Sequence, residues 1–370
     1  MSTLSDLVTT LRALDDFRRV NCGNFKHPLS SIIVSIFCAT MAGCFGARAI
    51  ADFIEDNFLA LNNLVGLPNG VPSHDTISRV LANVHAPLLA DLLRIWSGIE
   101  KLDYKFLQID GKTIRGSKEN GEKTAHILTV FAGDYAASLV EEQVSEKQNE
   151  ISAFETILIS NRINFEGKVV TGDAMFCQKS FCDAIINSGG DWVFVLKKNH
   201  PNLYADVDDY FAKTNDVVEM KVIPISGHGR KGTKKIRFTR DVDWILKDYN
   251  FTGLSCIAEI TTTVIEKGVE KTSTQYIIGS VKTLDELFIA RSKHWSIESM
   301  HWILDMAFEE DRSRNRTKNS PLAMNVFRKI AFYFFALAQK TETFKGHSIR
   351  RLMGRCKSRF SHLLTILSLT

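Results

Sequence analysis

Asp110, Asp173 and Glu298 are the residues of this chain whose types and surroundings point to chemistry. Asp110 closes a strand-like run at residues 105–110, and Asp173 follows another, residues 168–171, through Gly172. A small residue, Gly111 or Ala174, comes next in each case and lets the chain turn. In open α/β sheets the carboxyl edge of the strands is where ligands bind. Two carboxylates on neighbouring strand ends hold hard divalent cations through oxygen and leave coordination positions for water and phosphate. A third acid on a helix packed against the sheet completes such a site, and Glu298 is the candidate. Paired cations about 3.5–4 Å apart activate the attacking oxygen and stabilise the leaving oxygen of a phosphodiester. Taken singly, either aspartate also fits a helix cap or a turn, and Glu298 a surface position on a helix.

Other residue types gather near these acids. Lys112 and Arg115 suit the scissile phosphate or its neighbour, or a solvated pair on a turn. His228, with Arg230, Lys231, Lys234 and Lys235, reads as a Gly-rich basic loop between strands. Such a loop tracks a polyanionic backbone or is a plain surface hairpin. Trp295 and Trp302 flank Glu298 at −3 and +4, where core packing is expected ahead of base stacking. His294 and His301 lack a zinc signature and are assigned structural or phosphate-contacting roles. Ser73, His74 and Asp75 are contiguous, so no nucleophilic triad forms among them; Ser73 reads as a helix cap.

The elements that must position these residues are legible in part. Residues 1–100 read as an all-helical domain: Leu4, Leu7, Leu11 and Leu14 recur at helical spacing, residues 32–44 give a buried helix and 47–64 an amphipathic one. The turn-formers of residues 66–72 then precede a helix capped by Ser73. From Lys105 the order strand-strand-strand-helix-strand-helix-strand implies an α/β domain with a mixed sheet covered by helices, residues 101–345. Within it, residues of about 200–290 turn β-rich and read as an insertion, after which helices are expected at residues 283–308 and 321–338. Residues 346–370 read as a basic C-terminal tail.

At 370 residues, 45% hydrophobic and 24% charged, the composition is that of a globular protein with more than one structural unit. The seven cysteines are scattered and form no CxxC pair, which excludes a zinc knuckle or disulfide framework as an expectation and favours a reducing cytoplasm. The first twelve residues lack the basic start and apolar core of a signal peptide. No residue from Pro28 to Ala47 is charged, yet its serines, threonine and glycines favour a buried core helix over a membrane span, so no membrane partner is expected. Residues 311–370 hold 13 Lys/Arg against 2 Asp/Glu, while the rest of the chain is mildly acidic. That asymmetry points to a polyanionic partner or to a solvated basic helical face.

The words around the three acids resemble a known family. Residues 109–117, Ile-Asp-Gly-Lys-Thr-Ile-Arg-Gly-Ser, closely resemble the first-aspartate motif of bacterial DDE transposases, in particular those of ISAs-type insertion sequences and the H-repeat-associated proteins. Residues 170–175 with Gln178 resemble the second-aspartate block, and residues 189–199 the strand and turn after it. Arg291, His294 to Glu298, His301, Trp302 and Asp305 resemble the third-acid helix, with Glu309 to Arg314 at the end of the same block. Residues 67–76 with Arg79 are similar to the family's N-terminal associated domain.

The resemblance, over residues from about 15 to 340, implies an RNase H-like core with a β-rich insertion ahead of the third acid. It implies catalytic and metal-ligating roles for Asp110, Asp173 and Glu298, with two Mg²⁺ ions, or Mn²⁺ in their place, as cofactor. It also implies DNA as partner, through terminal inverted repeats and target, and a homo-oligomer that synapses two ends in the bacterial nucleoid. In the broader group a Tyr and an Arg precede the glutamate and a Lys follows it by seven positions; Arg291, His294 and Asp305 stand there in this chain. Arg312 or Arg314 then becomes the candidate for contacting the DNA end. The N-terminal helices are the expected readers of bases and the basic C-terminal section the binder of phosphates. A catalytically silent DNA-binding relic or regulator is the alternative function, and the intact acids favour an active enzyme.

Overall fold

Leu4, Leu7, Leu11 and Leu14 are all buried, so the chain begins as α1 (Leu4–Thr10), tightened at its end into the 3₁₀ turn Leu11–Ala13. The computed structural model describes residues 3–18, 26–118, 124–144, 149–214, 219–227 and 230–369. In α2 (Leu29–Met41) every residue is buried. Its polar side chains are satisfied locally: Ser35 donates to Ser31 O at 2.8 Å, Thr40 to Ile36 O at 2.9 Å and Ser31 to Val65 O at 2.7 Å. An uncharged helix can therefore be a core helix without orphaned hydroxyls. The expected amphipathic helix over 47–64 is two helices, α3 (Ala47–Asp56) and α4 (Phe58–Val65). The chain leaves helical geometry at Asn57, whose side chain donates to Phe53 O at 2.9 Å. Ser73 caps α5 (His74–Asn83) as expected, accepting from the Thr76 N–H. α6 (Ala86–Trp96) follows, with His85 as its cap.

The strands are β1 (Phe106–Ile114), β2 (Ala125–Ala132) and β3 (Ala137–Gln143), then, after α7 (Glu150–Ile159), β4 (Val169–Gly172). Next come α8 (Lys179–Asn187), β5 (Asp191–Leu196), α9 (Pro201–Lys213), β6 (Glu219–Gly227), β7 (Arg230–Thr239), α10 (Asp243–Tyr249), β8 (Cys256–Glu266) and β9 (Val269–Gly279). Helices α11 (Leu284–Met306), α12 (Ser320–Gln339), α13 (Ile349–Ser358) and α14 (Phe360–Leu367) complete the chain. Two features depart from expectation. α9 and α10 lie inside the β-rich stretch, and residues 230–235 of the segment expected as a Gly-rich loop are the beginning of β7. Gly232 explains the glycine there: a Cβ would stand 2.0 Å from Thr263 O of β8, so the close approach of the two strands requires its absence.

The chain forms two compact units, and β1 and α11 each run from one into the other. The first comprises Met1–Asp103, Gly111–Lys147 and Glu298–Thr370. In it α12 packs against α2, α5, α6 and β3, and Phe37 meets Trp96 edge-on with ring centroids 5.8 Å apart. Among the described residues α12 is the helix long and apolar enough to cross a membrane, yet 83% of that stretch is buried inside the fold. The second unit comprises Tyr104–Asp110 and Gln148–Ile297. Its strands follow the order β1-β4-β5-β9-β8-β7-β6, with β1, β4 and β5 parallel and the rest antiparallel. The β-rich insertion thus continues the core sheet through β9, whose residues Tyr276–Gly279 pair with β5.

Six cysteines among the described residues are free and buried. Burial pushes the thiols of Cys177, Cys256 and Cys356 up to about 12 and raises those of Cys38, Cys44 and Cys182. Because the thiolate is the reactive form, these six should stay unlabelled by Ellman's reagent at pH 8 in the native protein and react on unfolding. Labelling of two or more thiols in the native state would contradict that packing.

Candidate active site

The parallel pairing of β1 with β4 ends at Ile109 opposite Gly172, and the next residue along the chain in each case is an aspartate, Asp110 within β1 and Asp173 just after β4. Neighbouring strands lie about 4.8 Å apart, so the two acids emerge side by side at this end of the pairing. β1 itself does not stop at Asp110 but continues to Ile114, a correction to the expected strand end. What ends there is the partnership with β4, which leaves Asp110 half-buried and Asp173 exposed.

Alternation along β1 puts Phe106, Gln108 and Asp110 on one face. That face meets α11: the Lys293 ammonium lies 4.6 Å over the Phe106 ring and Ser296 donates to Gln108 Oε1 at 3.3 Å, while Lys105, just before β1, bonds Glu286 at 2.5 Å. α11 presents Leu284, Leu287, Ala290, Ile297, Met300 and Leu304 inward, and His294 occupies the same stripe. Its side chain is 2% exposed, with Nε2 3.7 Å from Asp173 Oδ1. The imidazole beside Asp173 holds its carboxyl below the usual carboxylate range, helped by the charges of Lys197 and Arg291 and opposed by partial burial. Asp173 is thus an ionised carboxylate across the neutral range. Of the structural and phosphate-contacting roles expected for His294, the geometry on the page is the contact with Asp173 from a buried position. Glu298 follows one turn later on the same continuous helix, and residues four apart share a helix face.

In the first unit, Lys112 is drawn into a group of acids. Its ammonium lies 2.7 Å from Asp305 Oδ1, 3.7 Å from Glu310 Oε2 and 3.9 Å from Asp311 Oδ1, and the side chain is 11% exposed. Burial and the neighbouring Asp311 and Glu310 raise the Asp305 carboxyl above its usual range, against the pull of Lys112. Arg115 remains 81% exposed, and Arg312 and Arg314 are exposed on the segment after α11. Arg230 is the first residue of β7, and His228 lies outside the described residues.

Gly116 sets how that segment sits. A Cβ on it would stand 2.6 Å from Glu310 O and 2.8 Å from Ser313 O, so the turn after β1 lies flush on backbone that cannot yield. Gly116→Val should cost about 1–3 kcal/mol by overpacking, read as a lower urea midpoint; an unchanged midpoint would refute this packing. Trp295 and Trp302, expected in the core, are 55% and 64% exposed. The inward stripe of α11 is filled by smaller side chains, and Trp295 instead lies under the Arg291 guanidinium at 5.7 Å.

The family described as "Transposase DDE domain" matches residues 101–332, and "DDE_Tnp_1-associated" matches residues 8–97. The chain belongs to the DDE transposase family. As a DDE transposase it has the RNase H-like mixed sheet expected of it, preceded by a helical region, and its field of action is DNA transposition. It is 28% identical to "H repeat-associated putative transposase YhhI" of Escherichia coli (strain K12), over 99% of this chain and 98% of that protein. It is 30% identical to "Putative transposase YncI" of Escherichia coli O157:H7, over 89% of this chain and 87% of the relative. Among solved structures, the piggyBac transposase synaptic complex with hairpin DNA is similar at a TM-score of 0.48 and 10% identity, over all of this chain and 79% of that one.

Proposed function

We propose that this transposase cleaves the ends of an insertion sequence and joins them to target DNA, with Asp110, Asp173 and Glu298 as its catalytic carboxylates. The observation that carries the reading is the pairing of β1 with β4, which ends one residue before an aspartate in each case. The donor set fits a hard divalent cation: carboxylate oxygens, with Asp173 kept ionised by its surroundings. Asp110, Asp173 and Glu298 would hold it. The chemistry supplied there by bound Mg²⁺, two ions with Mn²⁺ as substitute, is activation of the attacking oxygen and stabilisation of the leaving one.

The chain's own residues do the positioning. His294 orients the Asp173 carboxylate from the inward face of α11, and the contacts of Lys293 and Ser296 with Phe106 and Gln108 fix that helix on β1. Lys112 neutralises part of the acid group at Asp305, Glu310 and Asp311. The exposed Arg115, Arg312 and Arg314 contact DNA phosphates, and His228 and Arg230 take the same role by the sequence reading. In cleavage the oxygen of water attacks phosphorus, the bond to the 3′ oxygen breaks and a 3′-hydroxyl is freed. In joining, that hydroxyl attacks a phosphorus of the target, the target's own bond from that phosphorus to its 3′ oxygen breaks, and the displaced 3′ oxygen leaves as a hydroxyl with the proton given up by the attacking one. Two ends are synapsed by a homo-oligomer, and the reaction takes place on the DNA of the bacterial cytoplasm.

The test is incubation of the full chain with a duplex bearing the inverted repeats that flank its own gene. Mg²⁺-dependent nicking at the repeat end, leaving a 3′-hydroxyl and abolished by EDTA, is the expected result. Binding of the repeat with no cleavage in Mg²⁺ or Mn²⁺ would refute the reading and favour a silent DNA-binding protein.

A further inference from the structure

The first unit holds a second feature: a cleft of about 690 Å³ between the starts of α3 and α5 on one side and residues 309–315 on the other. Arg48, His74, Arg312 and Arg314 line it, with Glu309 as the acid among its lining residues. The three arginines are exposed, so their guanidinium groups face solvent rather than internal partners. The walls are fastened together, because Asn315 Nδ2 donates to Phe45 O at 2.6 Å. The far wall is anchored in turn, since Arg316 Nε donates to Gly116 O at 3.3 Å and the Gly116 turn lies flush on the backbone of Glu310 and Ser313. α3 opens at Gly46 with no side-chain cap and no acid in its first turn, which adds unscreened N–H groups to the positive wall.

Three guanidinium groups against one carboxylate select an anion, and the planar fork of arginine matches phosphate oxygens. Placement on two opposed walls of an open cleft suits successive phosphates of one strand better than a single small anion. We propose that this cleft grips the DNA backbone, with Arg48 on one side of the strand and Arg312 and Arg314 on the other. The proposal rests on the reading of the chain as a DNA-cleaving transposase, and it gives the N-terminal helices a phosphate contact where base reading was expected. The sequence alone does not bring Arg48 and His74 to the arginines they face, because they lie about 240 residues or more away along the chain.

The experiment is fluorescence anisotropy of a labelled 30-base-pair duplex over a range of salt concentrations. It compares the wild type with Arg48→Ala/Arg314→Ala and with a control, Lys101→Ala/Lys247→Ala, that removes equal charge from exposed positions outside the cleft and outside the basic C-terminal section. Each lost phosphate contact removes about 0.9 from the slope of log K on log salt, so the cleft variant should lose about 1.8 and bind roughly 60-fold more weakly at 0.1 M salt. The control should keep the wild-type slope, and thermal melting should be unchanged in both. Equal losses in the two variants, or none in the cleft variant, would overturn the proposal while leaving DNA binding by the chain intact. Saturable binding of ATP that Arg48→Ala/Arg314→Ala abolishes, with duplex binding unaffected, would overturn it in favour of a mononucleotide site. A wild type that binds no duplex would overturn the DNA reading itself.

Discussion

Asp173→Asn is expected to lower the rate of metal-dependent strand cleavage by about 10³-fold or more while leaving DNA affinity within a few-fold of wild type. The substitution keeps the shape of the side chain and removes the charge that a hard cation needs. A loss of about 4 kcal/mol in transition-state stabilisation corresponds to that factor. The side chain is 54% exposed, so the fold should tolerate the change and the melting temperature should stay put. His294→Ala should act differently. Its ring orients the carboxylate from a buried position, and removing such a support costs about 10–100-fold in metal affinity or activity. The Mg²⁺ concentration for half-maximal cleavage should therefore rise, with much of the rate recovered at saturation. Single-turnover cleavage over a Mg²⁺ titration reads both variants; wild-type rates for Asp173→Asn would remove this residue from the site.

The second large effect concerns stability. Arg328 of α12 is fully buried, with Nη1 3.5 Å from Glu310 Oε1 and its guanidinium 5.4 Å over the Phe45 ring. Burial lowers its affinity for a proton, against the pull of Glu310. Glu310 is also fully buried and accepts from Asn325 Nδ2 at 2.9 Å. Removing one partner of a buried pair leaves the other charge without compensation, which costs about 3–5 kcal/mol. Arg328→Met should fall near the lower end of that range, because Lys112 still stands 3.7 Å from Glu310. Arg328→Met with Glu310→Gln should recover much of the loss, since a neutral pair carries no uncompensated charge. Urea unfolding measures all three proteins. A midpoint for Arg328→Met within the range of ordinary surface substitutions would show that the pair does not matter to the fold.

The buried charges also qualify the basic C-terminal section. Lys329, buried beside Arg328, donates to Thr129 Oγ1 at 2.8 Å and sits 3.6 Å from Glu141, which also bonds Arg94 at 2.5 Å. Two of the thirteen basic residues after residue 310 are therefore structural cations of the core rather than surface for a polyanion.

Periodicity made the main elements legible where burial is one-sided or complete. Leu4 to Leu14, residues 32–44 and the strands around Ile127, Val170 and Val193 all show it. It failed where polar residues continue an element. Gly111, Lys112 and Thr113 hide the second half of β1, and the acidic, half-exposed 201–213 segment hides α9 behind Pro201. Asp110, Asp173 and Glu298 stood out as candidates because two of them follow apolar strand runs and the motif words surround all three. Their neighbourhood was less so. His294 sits in register with Leu287, Ala290 and Ile297, a spacing that marks it as inward-facing once the helix phase is known. Trp295 and Trp302 were misread because large aromatic residues are usually buried, whereas here they lie on the outward face of α11. The Lys112–Asp305 contact joins residues 193 apart in the chain, a separation that no local pattern reports.

The most direct measurement is electron paramagnetic resonance of Mn²⁺ bound to the protein–DNA complex, wild type against Asp173→Asn. The account predicts bound Mn²⁺ in the wild type and its loss in the variant at equal DNA occupancy. The same bound Mn²⁺ in both would contradict the claim that Asp173 is part of the metal-holding carboxylate set.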